Sequence, residues 1–151
     1  MEDIRRLYGY HGAEHKTIHA YEAGVELTPD NVQKFPLEHP RCGTGFLLTV
    51  VVISILIYSL FPKLSLLARV ASRLLLLPVI AGIAYEVLKF NAKHQDNWFI
   101  RTITKPNLAL QRLTTRQPDD TMVEVAIASF NNMMTLEKSE LAIVEETAVI
   151  S

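Results

Sequence analysis

A chain of 151 residues with a formal charge of −1 and 49% apolar residues has the length of one domain. Its 15 basic and 16 acidic residues leave no basic excess, so no nucleic-acid partner is expected. A single cysteine, Cys42, excludes an intramolecular disulfide framework.

The first residues, Met1 to Arg6, lack the apolar stretch and small-residue cleavage site of a signal peptide. A histidine-rich, interfacial helix is predicted over residues 4–23, with Gly24 as its C-terminal stop. At about 100° per residue, His11, Glu14, His15, His19 and Glu22 all project within a sector of about 140°. Two imidazoles four residues apart can share one metal ion, most naturally zinc. His11-x-x-Glu14-His15 has the H-x-x-E-H form of an inverted zinc-peptidase motif, in which the carboxylate activates water. His19 and Glu22 are further ligand candidates, and Glu14 is the candidate catalytic base. The alternative is a polar helix face wetted by water.

Pro29, Pro36 and Pro40 keep the following segment irregular, with a polar connector over 31–37. It leads into His39-Pro40-Arg41-Cys42-Gly43-Thr44-Gly45, where an imidazole and a thiol three positions apart suit a soft or borderline metal. A turn at the start of a membrane segment, with Cys42 as a small apolar filler, explains the same residues.

From Cys42 to Pro62 no residue is charged, a run of 21 positions. As a helix this covers roughly 30 Å, the thickness of a bilayer core. We read 43–62 as a first membrane span. A second is predicted over 66–89, with Arg69 and Arg73 reaching back to one interface and Pro78 tolerated within the bilayer. A short turn makes the pair an antiparallel hairpin, which places Glu86 near Cys42 as a further ligand or as a carboxylate orienting one. Of the 15 basic residues, 12 lie on the side of the termini and three, Lys63, Arg69 and Arg73, lie in or after the turn. That asymmetry puts both termini of a multi-pass cell-membrane protein in the cytoplasm.

Residues 91–105 read as a polar connector. Cytoplasmic helices are predicted over 106–134, with Pro118-Asp119-Asp120 as a start signal. Met122, Val123, Ala126, Ile127, Phe130, Met133 and Met134 form one helical stripe, read as packing surface. Residues 135–151 are expected to be a flexible tail. The sum is an all-α membrane protein of one domain, 1–134, with the lipid bilayer as partner and oligomers or membrane partners open.

Three stretches, Tyr10 to Ile18, His39 to Thr44, and Leu110 to Pro118, together resemble the bacterial YqhQ family, a group of unknown function. The resemblance covers about residues 4–130. It implies an integral membrane protein described as a metal-dependent enzyme, without substrate or reaction. Longer members carry a further portion before the histidine motif, so a site completed by that portion is incomplete here. The leading expectation is a metal-dependent hydrolase at the cytoplasmic interface. The alternatives are a non-enzymatic scaffold or assembly factor with a structural metal, and a transporter component.

Overall fold

The computed structural model describes residues 1–61 and 64–150, with side chains described through residue 141. Pro62 and Lys63, assigned above to the span end and turn, lie outside the described residues, as does Ser151 of the tail. The described residues are all-helical, as the sequence predicts: α1 (Glu2–Glu22), α2 (Pro29–Val32), α3 (Gly43–Ser59), α4 (Leu66–Lys93), α5 (Trp98–Gln111) and α6 (Asp120–Ile150). Length alone predicts one domain; packing divides the chain into two compact units. One comprises Met1–Leu37 with Thr115–Ser151, the other Glu38–Thr114.

The first unit holds α1, α2 and α6. Ala13, Ala20, Val32 and Val123 form its core, flanked by Leu27, Phe35, Met122, Ala126 and Ile127. The stripe read on α6 is therefore packing surface. It runs on to Phe130, whose ring lies 4.8 Å from that of Tyr21. Two local signals act as the sequence predicts. Gly24 stops α1 at φ +67°, in a conformation that L side chains resist. The Gly24 amide donates to the Tyr21 carbonyl (2.9 Å) and the Val25 amide to that of Ala20 (3.0 Å), which is a Schellman closure. Asp119 starts α6 by accepting from the Met122 amide at 2.9 Å and the Thr121 hydroxyl at 2.6 Å. The Thr121 bond is the main reason its carboxyl titrates below the ordinary value. The helix then continues past Met134, where a tail is expected, because Leu136-Glu137-Lys138 are good helix formers.

The second unit holds α3, α4 and α5. Cys42 caps α3, its Sγ accepting from the Thr44 amide at 3.4 Å. Ser65 caps α4 in the same way. The second apolar segment is helical to Lys93, beyond the predicted boundary at 89, with Pro78 inside it. The expected connector 91–105 is helical in its second half. The Asn97 side chain accepts from the Phe99 amide at 2.9 Å and starts α5, which continues through Pro106. Pro106 therefore lies within a helix it was expected to begin. Among the described residues, α4 alone is long and apolar enough to cross a membrane. The run read as the first span yields a 17-residue helix, which is apolar but shorter. Pro62 disfavours helical backbone at the residue before it, and glycines at 43 and 45 mark the other end.

Gly12 marks the tightest approach in the first unit. The Arg116 amide donates to the Tyr8 carbonyl at 2.9 Å, and a Cβ at Gly12 would collide with the Arg116 carbonyl and the Leu37 side chain. Backbone cannot give way as a flexible side chain does. Gly12→Ala should therefore destabilise the folded chain by about 1–3 kcal/mol, read as a lower thermal midpoint in detergent.

Candidate metal centre

The packed face of α1 is made by Gly9, Gly12, Ala13, Lys16, Thr17 and Ala20. The histidine sector lies along one edge of that face. His15 is nearest the packing and only 3% exposed; His11 and His19 are half-buried. The rings of His11 and His15 meet edge to face with centroids 4.4 Å apart. His19 lies parallel to Phe35 at 6.5 Å. Glu14 and Glu22 are exposed.

The orientation of His15 has a specific cause. Its Nδ1 is hydrogen-bonded to the Leu37 carbonyl oxygen. A carbonyl only accepts, so Nδ1 carries the proton, and in the neutral ring the lone pair is left on Nε2. Metal-binding histidines are held by the same kind of bond to their other nitrogen.

In the second unit His39 and Cys42 are both buried. The Gln111 side chain, itself 1% exposed, grips the His39 backbone from both sides. Its Oε1 accepts from the His39 amide and its Nε2 donates to the His39 carbonyl, each at 2.8 Å. The His39 ring accepts at Nδ1 from the Arg41 amide, 3.3 Å away. In the neutral ring Nε2 then carries the proton, so this hydrogen bond occupies the lone pair a metal would need. Cys42 Sγ makes its capping bond and a 3.5 Å contact with the Thr44 hydroxyl.

The chain thus holds histidine and cysteine donors that could bind a metal ion: His11, His15 and His19, with Glu22, in the first unit, and His39 and Cys42 in the second. Glu14 and Glu86 stand outside such donor groups among the described residues. Glu86 is exposed on α4, in a shallow groove with Pro78, Gly82, Ile83 and Phe90.

Comparison with known proteins places the whole region in one group. Residues 1–136 match the family model described as "Protein of unknown function (DUF1385)". The chain belongs to this family. It is similar to "Uncharacterized protein YqhQ" of Bacillus subtilis (strain 168), with 43% identity over 134 residues. The match takes in 89% of this chain and 42% of that relative, so the chain spans about two-fifths of the relative's length. No solved structure matches.

Two residues packed at the histidine segments were not singled out in the sequence, although both lie in stretches that carry the resemblance. Gln111 is one. The other is Lys16, which is buried beside His15 and donates from Nζ to the Gln33 carbonyl at 2.8 Å and to the Phe35 carbonyl. Burial pushes the Lys16 ammonium below the ordinary lysine value of 10.5. Between the lowered value and 10.5 the unfolded chain keeps a proton that the folded chain has lost, so stability rises with pH in that window. Below the window the contribution is lost. The thermal midpoint of the wild type should therefore gain on that of Lys16→Met as pH climbs through it. Near neutrality the variant should already be weaker by about 1–3 kcal/mol, because two backbone carbonyls lose their donor.

Proposed function

We propose that this protein is an integral membrane metalloprotein in which His11 and His15 hold one divalent transition ion, zinc first among them. The observation that carries the reading is the His11–His15 pair with the His15 proton committed to the Leu37 carbonyl, which puts the lone pair of the neutral ring on Nε2. Two imidazoles do not complete a tetrahedral site. Within the first unit the further donor side chains are His19 and Glu22.

In the finer reading the centre is hydrolytic. A bound zinc ion would supply Lewis-acid polarisation. Glu14, exposed one residue before His15, would take up and release the proton of the attacking water. The second reading is a closed structural site in a scaffold. It is favoured by the burial of His15, which is 3% exposed.

The membrane part rests on α4. Its apolar side chains are exposed, among them Leu67, Leu74, Leu75, Val79 and Ile83, unlike those of a core helix in a soluble protein. With α3 as its partner the pair forms a hairpin, and the basic asymmetry of the sequence sets both termini in the cytoplasm.

The full chain, purified in detergent without chelator, should contain about one zinc per molecule. Replacing His11 or His15 by Ala should weaken zinc binding by on the order of 100-fold or more. Glu14→Gln should keep the metal and lose any hydrolysis; if it releases the metal, Glu14 is a ligand instead. Protein that purifies metal-free and takes up no zinc on titration overturns the metal reading. Release from membranes by alkaline carbonate overturns the membrane reading.

A further inference from the structure

The exposed side of α5 is divided in a way that its packing does not require. Ile100, Thr104 and Gln111 are buried and face the rest of the second unit. The outer surface separates into two flanks. On one lie Trp98, Phe99, Ile103 and Pro106, all exposed, with Trp98 at 76%, and among them Thr102, whose hydroxyl donates to the Trp98 carbonyl at 2.9 Å. On the other lie Arg101 and Lys105, also exposed. At about 100° per residue the apolar flank spans roughly 140° and the cations stand beside it. A helix with a packed side, an apolar side and a basic side has one face more than a soluble bundle needs.

We infer that α5 lies in the membrane–water interface, with Trp98, Phe99 and Ile103 among the acyl chains and Arg101 and Lys105 on lipid phosphates. Two observations select a lipid surface as the occupant. Only residues 94–97 separate α5 from the end of α4, so a span that ends near Lys93 delivers α5 to the bilayer surface. From Lys89 to Lys105 the sequence has four basic residues against one acidic, Asp96, which is the charge of a segment facing anionic headgroups. Aromatic rings concentrate at that depth because one end of the ring is apolar and the other polar. The inference rests on the membrane placement of α4 proposed above.

Trp98 is the only tryptophan of the chain, so its emission reports on α5 alone. The full chain is reconstituted into phosphatidylcholine–phosphatidylglycerol vesicles containing phospholipids brominated at a shallow or a deep acyl position. Trp98 should emit to the blue of a water-exposed indole. Shallow bromines should remove most of its emission, and deep ones much less. Raising the phosphatidylglycerol fraction should increase the blue shift in the wild type and have little effect in Arg101→Gln/Lys105→Gln. Water-like, unquenched emission from chain that still resists carbonate extraction overturns the placement of α5 while leaving the α4 span intact. Blue-shifted emission that no bromolipid quenches means that protein covers Trp98, and this also overturns it. Equal responses of the wild type and the double variant overturn the phosphate contacts. Loss of the chain from the vesicles under carbonate marks instead a failure of the membrane reading itself.

Discussion

The segment from Gln33 to Cys42 closes few of its own hydrogen bonds, the Cys42 amide to the His39 carbonyl at 3.3 Å among them, and much of the structure follows from that. Pro36 and Pro40 bar it from a helix, and no neighbouring strand exists among the described residues to pair with it. Its buried carbonyls and amides still need partners, since an unmet backbone group costs on the order of 1–3 kcal/mol. Side chains supply them. Lys16 serves Gln33 and Phe35, and His15 serves Leu37 in the first unit. Gln111 serves both polar groups of His39 in the second. Buried polar residues at these positions are a consequence of the prolines, and each orients an imidazole in passing. His15 gains a fixed tautomer, and His39 a fixed backbone.

That account also weighs the chemistry. A buried histidine donating to a carbonyl is satisfied on one nitrogen and needs no metal to explain its burial. What burial alone leaves unexplained is His11, packed edge to face on the same ring, four residues away. A helix that needed only to hold Leu37 would do so with His15 by itself. The pair is therefore where the metal proposal gains its support, and His19, parallel to Phe35, adds less.

The all-helical class, the stop at Gly24, the start at Asp119 and the packing stripe of α6 were legible because each is a local signal read from adjacent residues. The histidine sector was legible as a direction but not as a single site. With His15 counted among them, the buried residues of α1 centre about 120° from His15 and about 140° from Glu14, so the sector runs from the edge of the core into solvent. A wheel drawn without knowing where the core lies treats those positions as equivalent. Lys16 and Gln111 were invisible for a different reason. Their partners are backbone groups 17 to 72 positions away, and a carbonyl has no letter in a sequence. The start of α5 was missed because Asn97 among polar neighbours reads as loop, although its side chain is the cap.

Polarity at the two ends of the α3–α4 pair bears on whether it belongs in a bilayer. Near the turn, the Arg73 guanidinium stands over the Tyr58 ring at 5.7 Å. At the opposite end Lys89 stands over Tyr85 at 6.0 Å. At the start of α3, the Thr49 hydroxyl donates to the Gly45 carbonyl and accepts from Asn107 of α5, so its polar atoms are met by protein. Between these ends the surface is almost wholly apolar, with Glu86 as the exception. Along α4 the inner basic residues Arg73 and Lys89 are 16 positions apart, a helical rise of about 24 Å, and the outer pair Arg69 and Lys93 are 24 apart, about 36 Å, so the two levels bracket the thickness of a bilayer core. A soluble helix has no reason to confine its cations to two levels at that spacing. A span does, because an ammonium or guanidinium held there reaches water while the side chains between face lipid. The shorter α3 fits the same slab only if its ends are not left bare, and the polar seam to α5 covers one of them.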